Sequence, residues 1–356
     1  KLIKTLQNTL KQDREWLSVP RSVQDTIPIK RIWPEGIFQF GSKFSKTIKF
    51  SDINYAIAAK EDKTAMFLGY SELLNALDCG SATKITINNK RLNRQDFADK
   101  MLLPLQGDAL DGYRNEYNNM LTEKVSGAVN SVVQERYLTL SVHKKNIEEA
   151  RVFFSRAVND VRSKLNHLDS HCEELEAEAR LRVLHDFYRP GEETEFSFNL
   201  QAAMQKGHSY KDVICPDSLE FKKDHFVMGD KYGRVLFLKE YASYIKDSML
   251  NELCGLDRNL MLSIDIIPVP TDEAVREMQN RLLGVETNVT NWQRRQNSNN
   301  NFSAVVPYDL EQQRKETREM LDDLTTWDQR MLFAVVTLVH LADSKEQLDS
   351  DTETLQ

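Results

Sequence analysis

Gly41, Lys43, Lys46 and Thr47 bring together the residue types of a phosphate-binding loop. Such a loop needs a glycine directly before its Lys-Thr pair and another five residues earlier, because bare backbone amides must wrap the phosphates. Those two positions hold Ser45 and Phe40. The flanking residues alternate apolar and polar, with Ile48 and Phe50 set against Lys49 and Ser51, which predicts a hairpin rather than a strand-to-helix turn. The segment is therefore expected to be a cationic hairpin and not a nucleotide site.

A second group is His167, His171, Cys172 and Glu174. A helix through 171 would set both imidazoles on one face, but zinc needs three or four such ligands and the sequence marks no further one. Cys215 lies in a turn before Pro216 and reads as structural, since a reactive thiol wants a helix N-terminus or nearby cations. There is no Gly-x-Ser-x-Gly elbow. The best contact cluster is Trp292, Arg294 and Arg295, where an aromatic and two guanidiniums suit a protein partner or a stacked single strand. Lys43 and Lys46 on the cationic hairpin are the other candidate interface residues.

The elements around these residues are written twice. Residues 41–57 echo 229–245 in register, from Gly41/Gly229 through Lys46/Arg234 to Ile57/Ile245. Residues 134–143 echo 328–340 after a short insertion, which sets His143 and His340 at the ends of equivalent strands. Each echo runs into a capped helix, at Asn146 and at Ser344. The repeat is too long for a solenoid and predicts a duplicated domain. The expected fold is α+β, with two duplicated ferredoxin-like (split βαβ-type) modules carrying added helices on antiparallel or mixed sheets. A helix over 2–17 and a Pro-rich connector occupy 1–35, the first module 36–190 and the second 191–356, with Pro190-Gly191 as the boundary. Residues 172–189 are expected to form one acidic helix. Val275, Met278, Leu282, Val285, Val289 and Trp292 make a heptad-type stripe expected to lie across the second module's sheet, before an Asn-rich loop from 291 onward.

The composition is that of an ordinary soluble chain, 40% hydrophobic and 28% charged. No apolar run reaches the roughly 18 residues that span a bilayer. A formal charge of −7 argues against a broad basic nucleic-acid face. Four scattered cysteines without a C-x-x-C pair suit reduced thiols of a cytosolic protein. Both ends look cut from a longer protein.

Residues 20–66, 269–296 and 340–355 closely resemble the N-terminal region of the conjugal-transfer ATPases of type IV secretion systems, in the form found on mobile elements of Gram-positive bacteria. The resemblance implies a non-catalytic docking and assembly domain that meets inner-membrane channel subunits. It also implies a cytoplasmic location at the face of the membrane, and a homo-oligomer formed through the full-length protein. A RecA-like motor using ATP and Mg would follow. No Walker A loop, Walker B strand or arginine finger is present in these residues, so no catalytic residue, cofactor or metal site carries over. Two alternatives stay open: a single-stranded nucleic-acid-binding platform using Trp292, Arg294, Arg295 and the lysine hairpin, and a small metallohydrolase using His167, His171 and Cys172. The purified chain is expected to show no ATP turnover; hydrolysis above background that Lys46→Ala abolishes would restore the phosphate-loop reading.

Overall fold

The computed structural model describes residues 20, 22–53, 55, 57–78, 80–91, 102–108, 110–127, 132–241, 248–256, 258–299, 305–327 and 329–356. The helix expected over 2–17 lies outside them. The chain is α+β. In order it runs α1 (Val23–Thr26), β1 (Arg31–Ile32), β2 (Phe38–Phe40), β3 (Lys43–Phe50), α2 (Lys60–Asn75), β4 (Ser81–Arg91), α3 (Asp111–Gly127), β5 (Val132–His143) and α4 (Ile147–His167). It continues β6 (Cys172–Glu174), α5 (Ala177–Tyr188), α6 (Leu200–Lys206), α7 (Lys211–Ile214), β7 (Leu219–Phe221), β8 (Phe226–Met228) and β9 (Lys231–Phe237). Then come α8 (Ser248–Cys254), β10 (Leu260–Pro268), α9 (Thr271–Ser298), α10 (Tyr308–Thr326), β11 (Leu332–Ala342) and α11 (Lys345–Leu355).

The strands form one sheet in the order β1-β2-β3-β5-β4-β10-β11-β9-β8-β7, with β6 added beside β3. Read outward from its middle, the order is the same in both directions: β4-β5-β3-β2-β1 and β10-β11-β9-β8-β7. The registers match as well. Phe38 faces Ser45 as Phe226 faces Gly233, and Lys46 faces Leu140 as Arg234 faces His340. Gly41 and Gly229 turn the two hairpins with φ of 59° and 60°, a left-handed geometry that costs glycine nothing. This register corrects one expectation: His340 stands where the first half has Leu140, so His143 and His340 are not equivalent. The insertion shifts the strand by three residues more than the echo of the two histidines suggests.

The described residues gather into two compact units. The larger comprises Lys1–Asn54, Lys84–Ile264 and Val335–Gln356, the smaller Tyr55–Thr83 and Asp265–Ala334. In the smaller unit α9 and α10 lie side by side and antiparallel. Met278 shares a core with Leu324, and eight residues on Glu286 takes hydrogen bonds from Arg314 (2.9 Å) and Arg318 (2.7 Å). The heptad-type stripe packs mainly on α10, with Phe333 of β11 joining the core at its Met278 end. Val285 and Val289 are buried, and Leu282 is half-buried. Helix α9 also continues through Trp292 to Ser298, where a loop was expected.

In the larger unit the sheet's first half is covered on both faces. Helix α4, capped by the Asn146 side chain on the Glu149 amide at 2.9 Å, buries Ala150, Phe154, Val158, Val161 and Leu165. The other face is covered by α5, α6 and α7, whose Ala177, Leu181, Leu200 and Ile214 share a core with Ile27, Ile29 and Phe38. Residues on both sides of Pro190 thus belong to one core. The expected acidic helix over 172–189 is instead a strand followed by a helix. Asp169, at φ 58°, ends α4, and residues 172–174 extend to pair with Phe50–Ile48 of β3.

The core of this face holds a guanidinium. Arg180 on α5 is buried, donates to Gly36 O (2.7 Å), Ser45 O (2.8 Å) and Ser45 Oγ (3.1 Å), and stacks 4.0 Å from the Phe38 ring centre. Burial pulls its pKa down to about 9, still above neutrality. Gly36, at φ 78°, lets the chain pass against Leu175, whose carbonyl oxygen would sit 1.9 Å from any Cβ there. Arg180→Met keeps the bulk but leaves these acceptors without a donor. It is expected to cost roughly 2–4 kcal/mol in denaturant unfolding, as buried unsatisfied carbonyls do. A loss under about 0.5 kcal/mol would show that the guanidinium is dispensable.

Candidate interaction face

The residues facing α5 from the first half's sheet are polar. Ser45, Thr47 and Lys49 alternate inward on β3, against Ser141, Thr139 and Tyr137 on β5. Thr47 and Thr139 hydroxyls meet at 2.8 Å. Beyond them lies an ionic cluster. Glu135 accepts from Lys49 (2.7 Å) and Tyr137 (2.7 Å) and pairs with Lys90 (3.1 Å), which also reaches Asp186 (3.1 Å). His185 Nδ1 lies 3.6 Å from Asp186 Oδ1, both buried. Burial alone would raise the Glu135 pKa, but Lys90, Lys49 and the Tyr137 hydroxyl hold it at about 2. Burial and the Glu135 charge push the Tyr137 phenol up. Lys90 is raised, because Glu135 and Asp186 outweigh its own desolvation.

At the same positions in the second half the side chains are apolar. Gly233, Val235 and Phe237 stand where β3 has Ser45, Thr47 and Lys49. Val335 stands where β5 has Glu135, because the Leu238 amide bonds Val336 O at 3.0 Å in line with the Phe50–Arg136 pair. Facing residues of paired strands share one side of a sheet, so Phe221, Phe226, Val235, Phe237, Val335 and Val339 line a single face. Gly233 is needed there. The Phe226 ring lies across it, and a Cβ would come within 2.2 Å of that ring. The opposite face is closed by α11 and by a core of Leu236, Leu250, Cys254, Leu262 and Leu338. The near face is open: Phe221 is 68% exposed, Val235 53%, Phe237 68% and Val335 42%. A cluster of exposed large apolar side chains on one surface marks an interaction site far more often than isolated ones do.

The sequence-derived candidates lie elsewhere. Lys46 pairs with Glu174 at 2.5 Å and its side chain is 13% exposed, so its charge is spent inside the fold. Lys43 lies opposite His143 in the β3–β5 ladder. Trp292 is half-buried near the end of α9, with Arg294 and Arg295 exposed beside it in the smaller unit. His167 ends α4, whereas His171 and Cys172 follow the Asp169 turn, so the two imidazoles do not share a helical face. Glu174 is engaged by Lys46 and Arg162. Among the described residues no three of His, Cys, Asp and Glu come together as a metal-holding group. Burial raises the Cys215 thiol pKa and pushes that of Cys254 up to about 11, which disfavours the thiolate. The open face was missed because Val235 and Phe237 read as ordinary alternation within a strand. The available signal was the swap of Lys49 for Phe237 between two otherwise matching hairpins.

No protein-family model matches this chain, and no curated protein matches it. The Glu135 cluster gives a direct test of the covered half. The carboxyl's folded-state pKa lies below its ordinary 4.5. Its contribution is therefore complete above about pH 4.5 and lost as pH falls towards 2. Glu135→Gln is expected to lose roughly 2–3 kcal/mol at pH 7 and to show a flatter stability profile between pH 5 and 3. Parallel profiles for both proteins would remove the cluster from the stability of this half.

Proposed function

We propose that this chain is a non-catalytic docking module of a conjugal-transfer ATPase, working through protein contacts with inner-membrane channel subunits. The observation that carries the reading is the exposed apolar face of Phe221, Val235, Phe237 and Val335. The resemblance of residues 20–66, 269–296 and 340–355 supports the choice of family. A place at the cytoplasmic side of the membrane follows from such partners; no helix among the described residues is long and apolar enough to cross a bilayer. The repeated strand order supports reading the two halves as copies of one split βαβ unit. In each half the two strands joined through a helix, β3 and β4 or β9 and β10, are separated by a third, β5 or β11.

The test is photo-crosslinking in cells carrying a complete transfer apparatus. A benzophenone amino acid replaces Phe237 in the full-length protein, with replacement of Val152, exposed on α4, as control. The expected product is a crosslink from position 237 to an integral inner-membrane protein, and a drop of at least ten-fold in transfer for Phe237→Glu at unchanged protein level. Crosslinks to nucleic acid alone would favour a strand-binding platform and sink the docking assignment.

A further inference from the structure

The two halves differ at one contact beneath the helices that follow β5 and β11. Phe154 stands eight residues after the Asn146 cap of α4, and Thr352 eight residues after the Ser344 cap of α11. On the strands below, Leu140 opposite Lys46 corresponds to His340 opposite Arg234. The first half thus has a leucine and a phenylalanine where the second has a histidine and a threonine, and all four are buried. The hydrogens around Thr352 Oγ1 can be counted. Its own hydrogen goes to Leu348 O at 2.7 Å, and Arg234 Nη1 donates to it at 2.7 Å. His340 Nε2 lies 3.2 Å from the same oxygen, whose remaining role is to accept, so Nε2 carries the ring's hydrogen. Nδ1 then holds only a lone pair. That nitrogen is buried, and no group among the described residues bonds to it.

We propose that His340 is a proton-operated latch: neutral, it holds α11 on β9 and β11, and protonated, it releases α11 while α4 stays in place. A second ring hydrogen, on Nδ1, would have no acceptor, and the new charge would stand directly across from Arg234. Two cations would then share one hydroxyl. The carboxylates that could offset the charge are engaged. Asp351 on α11 is buried and pairs with Arg258, ahead of β10, at 3.2 Å. Asp349 on α11 and Asp224 between β7 and β8 both pair with Arg234, at 2.7 and 3.1 Å. His225 lies 2.9 Å from Asp224, and Lys345 at the start of α11 also acts on Asp224. From α8 and β10 the neighbouring core receives Cys254 and Leu262. Burial lowers the imidazole's pKa from its ordinary 6.5, with Asp351 drawing it up and Arg234 down. A base whose pKa folding depresses contributes fully above the unfolded value and loses that contribution as pH falls. The latch therefore opens below about pH 6.5. Leu140 takes no proton, so α4 is indifferent to the same change.

The test is hydrogen exchange of the full-length protein in a series from about pH 7.5 to about pH 5, corrected for the intrinsic effect of pH on amide exchange and read on α11 and α4. Opening of α11 is expected to rise at least about five-fold across the series, while that of α4 changes by less than about two-fold. His340→Gln keeps a donor for Thr352 without a titrating ring, and His340→Leu installs the residue of the first half. In both variants the response of α11 should fall below about two-fold. Melting curves at neutral pH show which variants fold, and either one alone carries the comparison. An equal rise at α4 and α11, a response centred above pH 6.5, or a response that persists in the His340 variants would overturn the proposal. In the last case loss of the response in His225→Gln would place the sensor at the Asp224 pair instead.

Discussion

The organisation of the larger unit depends on one buried cation. Arg180 has no carboxylate partner within its hydrogen-bond set; its donors go to two backbone carbonyls and one hydroxyl, and its plane lies on Phe38. A buried charge is tolerable only when its donors are matched. That requirement fixes several things together. The loop at Gly36 must bring its carbonyl inward, β3 must present Ser45 at the facing position, and α5 must start where Leu175 and Glu176 place it. The Gly36 backbone is close enough to Leu175 that only glycine fits. A helix that touches the sheet through so polar a set of contacts holds one register.

The same sheet position carries opposite chemistry in the two halves. Ser45, Thr47, Lys49 and Glu135 in one become Gly233, Val235, Phe237 and Val335 in the other. The polar set is satisfied internally by α5 and its flanking charges. Val235, Phe237 and Val335 of the apolar set are exposed among the described residues, which costs free energy in proportion to the exposed area. The opposite faces do not diverge in this way. Both are closed by the helix that follows the last strand of each half, α4 and α11, each with a capping side chain, Asn146 and Ser344. His340 is a buried polar side chain on the second of those faces. Burial lowers its pKa, and Thr352 Oγ1 lies 3.2 Å from its Nε2, in a place where the first half uses leucine.

The sequence by itself determined the local elements and their repetition. Hairpin alternation, Gly41 and Gly229, the Asn146 and Ser344 caps and the heptad-type stripe are short-range signals, each set by neighbours within a few residues, and each element formed where its signal lay. It also determined the α+β class. Tertiary structure decided everything that depends on which surfaces meet. Residues 172–189 carry helix-forming composition throughout, yet the first three described residues of that stretch became a strand because the open edge of β3 offered backbone partners. The stripe on α9 specified an apolar contact but not its partner, and an adjacent helix supplied it. The cationic hairpin read as exposed until Glu174 came beside Lys46 across 128 residues of chain. The open face could not be read from Val235 and Phe237, since alternation marks an inward side whether or not anything covers it. Only the fold shows that α5 covers the inward side of the first half and that Val235 and Phe237 are exposed among the described residues.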